Sequence, residues 1–269
     1  MTYFGFLAIF VGLPLVVLGG LTWYDLRRGR SLPQSLHNLP SWLALIAHVV
    51  IALVYTTAWD NYLVATRVWW YDPKLVTGVV LGWVPLEEYT FFIIQTLLTG
   101  TWLLLLARRL AVKSRFRPLH QLRWSSALFA GVIWLVSVLM LVSGWQPGTY
   151  LALELVWALP PIILQLVFGA DILWHYRRLV LLAIIPTTLY LSFADALAIR
   201  SGTWTIDPMQ SLNIFLAGQL PLEEFVFFLL TNTLVSFGMV LTLACESRER
   251  MPKQVRHVLS SDDRLAKSP

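Results

Sequence analysis

Two adjacent pairs of glutamates, Glu87-Glu88 and Glu223-Glu224, stand inside long apolar runs of this sequence. An ionised carboxylate is costly in hydrocarbon, so acids at membrane depth are candidates for proton transfer or catalysis. Each pair follows a proline and precedes aromatic residues. Pro85-Leu86-Glu87-Glu88-Tyr89-Thr90-Phe91-Phe92 aligns with Pro221-Leu222-Glu223-Glu224-Phe225-Val226-Phe227-Phe228, with six of eight positions identical. Neighbours on a helix point about 100° apart. Glu88 therefore falls in line with Phe92, Gln95, Thr96 and Thr99, and Glu224 with Phe228, Thr231, Asn232 and Ser236. Glu87 and Glu223 fall on apolar stripes. The expectation is that Glu87 and Glu223 keep their protons and that Glu88 and Glu224, held by hydrogen bonds, tune them. Trp83, Tyr89, Phe91, Phe92, Phe225, Phe227 and Phe228 stand beside the acids, and their faces can stabilise a cation or simply pack helices. Protonated carboxyl, dry cavity and π-faces suit protonation of an alkene, and equally a proton relay in a transporter.

The elements that position these groups are transmembrane helices. Of 269 residues, 57 % are hydrophobic and only 13 % charged, roughly half the charge of a soluble domain. Seven apolar stretches are each long enough to cross a bilayer: 3–21, 40–58, 76–107, 125–143, 151–168, 179–198 and 213–244. The fold class is an all-α polytopic bundle. Of 20 Lys and Arg, 17 follow spans one, three, five and seven, which sets the N-terminus outside and the C-terminus in the cytoplasm, at the cell membrane. The charge of +5 is thereby explained by lipid headgroups, with no nucleic acid needed. In the third and seventh spans so drawn, the acids lie about 11 residues in, roughly 16 Å below the outer end. Pro85 and Pro221 should kink each helix just before them. Gly78 and Gly82 form a small-xxx-small pair suited to close packing of span three.

The motifs belong to a longer repeat. Asp60, Trp69 and Asp72-Pro73 align with Asp195, Trp204 and Asp207-Pro208, and more weakly Pro14 and Asp25 with Pro161 and Asp171. Spans one to three recur as five to seven with span four between, a parallel repeat about an axis along the bilayer normal. The expected organisation is a first three-helix unit over 1–112, a connecting helix over 113–148, a second unit over 149–245 and a disordered cytoplasmic tail over 246–269. Residues Lys113–Leu122 form the one candidate internal boundary.

Several chemistries are excluded. There is no GxGxxG and no P-loop, so no dinucleotide or ATP cofactor bound through those motifs is expected. The five histidines form no HxxxH or HxxH cluster and no metal site is expected. All four lysines lie in loops, which excludes a retinal Schiff base, and Asp-rich boxes for magnesium diphosphate are absent. The lone Cys245 cannot form an internal disulfide.

The paired Pro-Leu-Glu-Glu-aromatic-x-Phe-Phe motifs resemble the membrane-integral lycopene cyclases, the heterodimeric bacterial type and its fused archaeal and fungal relatives. Asp60-Asn61, Trp69, Asp72-Pro73 and Gln95-Thr96 also resemble the first half of that family, and Asp195, Trp204 and Asp207-Pro208 the second. Thr231-Asn232 replaces Gln-Thr after the second motif, and the first spans match only loosely. The resemblance implies a cofactor-independent isomerase, an intramolecular lyase of carotenoid biosynthesis, that closes the acyclic ends of lycopene to ionone rings, β rings above all. Glu87, Glu88, Glu223 and Glu224 would be catalytic; the seven aromatics named above would bind substrate; Asp60, Asn61, Gln95, Asp195, Thr231 and Asn232 would be the supporting polar groups. Implied partners are lycopene or γ-carotene, the lipid bilayer, and a second copy or other carotenoid-pathway enzymes. Two alternatives remain open: a proton-coupled small-molecule transporter of three-plus-one-plus-three topology, and a carotenoid hydratase that quenches the same cation with water.

Overall fold

A computed structural model describes residues 1–111 and 116–250. Seven helices are long and apolar enough to cross a membrane: α1 (Tyr3–Arg27), α2 (Ser41–Ala65), α3 (Leu86–Arg109), α4 (His120–Val142), α5 (Thr149–His175), α6 (Arg177–Arg200) and α7 (Leu222–Leu243). The chain is an all-α bundle. α3 and α7 are the most buried and lie side by side at its centre. Gln95 Nε2 donates to Thr231 Oγ1 at 3.1 Å and Thr99 Oγ1 to Asn232 Oδ1 at 2.6 Å. Such bonds satisfy side-chain polar groups that lipid would leave unpaired.

Proline inside a helix frees the carbonyl four residues earlier, and in lipid that oxygen needs a donor. In this bundle each such carbonyl has one from a neighbouring helix. Before Pro14, Phe10 O accepts from Tyr190 Oη at 2.8 Å; before Pro161, Trp157 O accepts from Tyr55 Oη at 2.8 Å. Before Pro160 and Pro186, Val156 O and Leu182 O accept from the indoles of Trp134 and Trp102. Prolines and aromatic donors thus lock helix to helix. A π-helical turn, Ala8–Gly12, precedes Pro14.

The third and seventh spans begin later than the apolar runs do. Residues 76–85 and 213–221 are not helical. They contain short antiparallel hairpins, β2 (Val80–Leu81) with β3 (Val84–Pro85), and β5 (Phe215–Leu216) with β6 (Leu220–Pro221). A short apolar run bounded by glycine reads alike as strand or helix, which is why the expected starts at 76 and 213 fail. Pro85 and Pro221 are the residues before the first helical turns, not kinks within helices. The acids accordingly sit in the first turns of α3 and α7, at the hairpin end of the bundle, not about 11 residues down each helix. Gly78 and Gly82 are turn residues with φ of 79° and 70°, so they lie outside α3 and form no helix-packing face of it.

Two more strands, β1 (Trp69–Tyr71) and β4 (Trp204–Ile206), pair antiparallel, Trp69 opposite Ile206 and Tyr71 opposite Trp204. They tie the segment after α2 to the segment after α6. At the opposite end Asp25 is clasped by Arg30 and Arg109, and Asp171 by Arg250. Residues Cys245–Arg250 form a 3-10 helix held by that last pair. The expected disorder therefore does not begin at 246. The rest of the expected tail, and Lys113–Arg115 of the expected boundary, lie outside the described residues.

Candidate active site

Successive positions in the first turn of a helix point in different directions, and the two acids of each motif are separated in this way. Glu87 Oε1 turns back to the hairpin lead-in and accepts the Thr77 backbone N–H at 2.6 Å. Glu223 Oε1 likewise accepts the Leu212 N–H at 2.7 Å and the Ser211 hydroxyl at 3.1 Å. The second acids face inward. Glu88 Oε2 accepts from Tyr3 Oη at 2.5 Å and from Tyr71 Oη at 3.0 Å; Glu224 Oε1 accepts from Tyr150 Oη at 2.8 Å.

Glu88 and Glu224 line one cavity of about 40 Å³, together with Asp195, Tyr3, Tyr71 and Tyr150. Phe6, Trp69, Phe91, Trp204, Phe227 and Phe228 form the rest of its wall. The rings interlock at angles typical of aromatic pairs. Tyr3 lies 5.0 Å from Trp204, Trp69 lies 5.2 Å from Tyr150, and Phe91 meets Phe228 edge-on at 6.3 Å. Burial, with the Asp60 and Glu88 carboxyls beside it, pushes the Tyr71 hydroxyl well above the usual tyrosine range. Tyr71 is therefore a permanent O–H donor.

Of the residues expected from sequence, Glu88, Glu224, Asp195, Phe91, Phe227 and Phe228 meet at this cavity. Glu87 and Glu223 do not line it. Glu87 and Glu223, expected on apolar stripes, instead turn to the loops before the helices, which start so close to the acids that the first position fastens the preceding loop. Trp83 is 66 % exposed and away from the site. Tyr89 donates to Leu81 O at 2.7 Å, and Asn61 accepts the Trp83 N–H at 2.8 Å while donating to Tyr89 Oη, so both hold the hairpin tip. Phe225 is half-buried outside the cavity. Phe92, Gln95 and Thr231 line a neighbouring cavity, and Asn232 bonds Thr99 and Thr188. Asp60 is fully buried behind the site, with neither oxygen hydrogen-bonded among the described residues.

The three tyrosines were not among the expected site residues. Tyr3 and Tyr150 stand at the ends of apolar runs, where the interfacial belt explains them equally well. Glu154 was also missed, although a lone acid in an apolar run was signal enough. It is fully buried one turn below Tyr150, with neither oxygen hydrogen-bonded among the described residues, and it lies within electrostatic reach of Glu223 and Glu224.

One carboxyl from each motif, the hydroxyls bonded to both and a wall of aromatic rings, set in a bundle of seven apolar helices, fit a class: a multi-pass membrane protein with acid–base groups beside an apolar surface. The chain is 38 % identical over 242 residues to a lycopene beta-cyclase of Halobacterium salinarum, covering 89 % of this chain and 95 % of that one. It is 35 % identical over 214 residues to a bifunctional lycopene cyclase/phytoene synthase of Gibberella fujikuroi, and 37 % identical over 199 residues to one of Phaeosphaeria nodorum. Those matches cover 76 % and 71 % of this chain but only 35 % and 34 % of the fungal proteins. No family model matches the sequence, and no solved structure does. The chain belongs to the lycopene cyclase family.

Proposed function

We propose that this protein closes the acyclic ends of lycopene to β-ionone rings without a cofactor, with Glu224 as proton donor and Glu88 as proton acceptor. The observation that carries the reading is that one glutamate from each motif faces a single aromatic-walled chamber. The Glu224 carboxylic acid protonates the terminal double bond and leaves a tertiary cation. The next alkene attacks that cation and closes a six-membered ring. The Glu88 carboxylate removes a proton beside the new cationic carbon, which sets the ring double bond. One proton enters and one leaves, so the product is an isomer. Before the next cycle a proton must pass from Glu88 to Glu224.

The roles follow from what surrounds each acid. Glu88 accepts two O–H donors, which suits an anion waiting for a proton. Glu224 has one from Tyr150, and the position equivalent to Tyr71 in the second half is Ile206, which has no hydroxyl to give. Glu154 adds a second carboxyl near Glu224, where its counterpart in the first half is Leu7. The aromatic faces of Phe91, Phe227, Phe228 and Trp204 stabilise the passing cation, and exclusion of water prevents its capture as an alcohol.

The two-site symmetry supports a parallel repeat, with 1–112 and 149–245 as units and 113–148 as connector. Tyr3 N bonds Leu75 O as Tyr150 N bonds Gln210 O, and Asp72 N bonds Thr203 O as Asp207 N bonds Val68 O. Glu87 and Glu223 fasten equivalent loop positions. The basic residues favour a chain with the hairpin end outside and the C-terminus in the cytoplasm of a cell membrane.

The test is expression in cells that accumulate lycopene, followed by pigment extraction. Ring-containing products of unchanged mass are expected. A gain of one water identifies a hydratase, and unchanged lycopene beside folded protein overturns the proposal.

A further inference from the structure

The acid chamber is far too small for a long polyene, so the chain behind the reacting end must lie elsewhere. Next to it, between α2, α3, α5 and α7, is a second cavity of about 190 Å³. Phe227 lines both cavities, so one ring separates them. Trp157 stacks near this ring and on Trp59, with Trp59 and Trp157 centroids 4.4 Å apart. The wall runs down α7 from Phe227 to Val235, about 12 Å at the helical rise. Its lining is predominantly apolar, and Ile51 and Tyr55 at its edge are 61 % and 41 % exposed, so it opens sideways where lipid would lie. Its far end is polar: His48 and Gln165 line it there, and Gln165 Oε1 has no hydrogen-bond partner among the described residues.

We propose that this cavity is the subsite for the polyene behind the reacting end: the hydrocarbon passes Phe227, lies along α7, and leaves the protein between Ile51 and Tyr55. This rests on the cyclase reading given above. A hydrocarbon does not continue past an unpaired amide oxygen and an imidazole, so the polar end turns it outward to lipid. On the opposite flank, between α1, α3 and α6, a cavity of about 370 Å³ is lined by Leu13, Val17, Leu98, Trp102 and Tyr190 among others. The two flanks match closely: Tyr55 and Pro161 on one correspond to Tyr190 and Pro14 on the other. This 370 Å³ cavity shares no lining residue with the acid chamber, so it does not receive the chain. One subsite beside one acid chamber means one end is closed per binding event, and a substrate with two reactive ends must leave and return reversed.

Binding is measured apart from chemistry by placing variants in full-length Glu224→Gln protein in lipid vesicles and titrating lycopene, whose visible absorption shifts on transfer from lipid to an aromatic pocket. Ala52→Phe, which fills the cavity, is expected to weaken binding roughly tenfold or more. Ile51→Trp, at the lipid-facing mouth where folding is insensitive, is expected to weaken it as well. Val17→Phe, on the other flank, is expected to leave it unchanged. Unchanged affinity in both Ala52→Phe and Ile51→Trp, or equal loss in Val17→Phe, overturns the subsite. Lycopene binding in this pattern by a protein whose parent forms no rings would instead overturn the cyclase reading alone.

Discussion

Replacing Glu224 by glutamine removes a transferable proton while changing almost nothing else. The amide oxygen keeps the volume of the carboxyl and still accepts the Tyr150 hydroxyl that lies 2.8 Å away. The acid is already neutral before the reaction, so the Tyr150 bond stays between neutral groups and the folded state should lose a few degrees of thermal midpoint at most. The reaction loses its acid. Positioned proton transfer contributes about 10²–10⁴-fold, roughly 3–5 kcal/mol of barrier, and no second acid in the chamber stands in the same place. Glu223→Gln is the matched control. Its amide oxygen keeps the Leu212 N–H and the Ser211 hydroxyl, and it touches no substrate, so turnover should stay within about threefold of the parent. The assay is single-turnover conversion of lycopene by purified protein in vesicles, resolved by chromatography, with thermal melts run in parallel. Glu224→Gln that retains a tenth of parental activity, or Glu223→Gln that is as dead as Glu224→Gln while still folded, refutes the assignment of inward and outward acids.

Tyr3→Phe removes the 2.5 Å donor on Glu88; loss of one hydrogen bond to a charged group is about 1.5–3 kcal/mol, so kcat should fall by about ten- to a hundredfold with KM little changed, read by steady-state kinetics. Glu154→Leu restores in the second half what Leu7 supplies in the first. Relieving a buried carboxyl without hydrogen bonds should raise stability by about 1–3 kcal/mol while slowing ring closure, seen as a higher melting midpoint with lower conversion. Gly82→Ala forces a side chain onto a φ of 70° and into Asn61 Oδ1; the left-handed conformation alone costs about 1–2 kcal/mol, and melts in detergent should report it.

The number of crossings was legible because about 20 apolar residues per span is a demand of the solvent, not of any partner. The starts of α3 and α7 were not. Val76–Val84 is apolar and carries β-branched residues beside two glycines, and periodicity cannot separate a hairpin from a helix in so short a run. That one error displaced the acids by two to three turns and turned Pro85 and Pro221 from boundary residues into imagined kinks. Glu88 and Glu224 were legible as candidates from type and repetition. Their difference from Glu87 and Glu223 was not, because it depends on where the loops ending at Thr77 and Leu212 return. Tyr3 reaches Glu88 across 85 positions, and nothing local to either residue announces the contact.

The pairing of β1 with β4 is made of main-chain hydrogen bonds, which depend little on side-chain identity. It joins the segments after α2 and α6, whose Trp69, Tyr71 and Trp204 line the chamber, and so helps set how far apart the two halves stand. Side chains of the chamber wall can therefore change over evolution, altering which hydrocarbon fits, while this ladder, with the Gln95–Thr231 and Thr99–Asn232 bonds between α3 and α7, keeps the spacing of Glu88 and Glu224. Divergence in product among proteins of this architecture should thus be sought in the aromatic wall, with the ladder left intact.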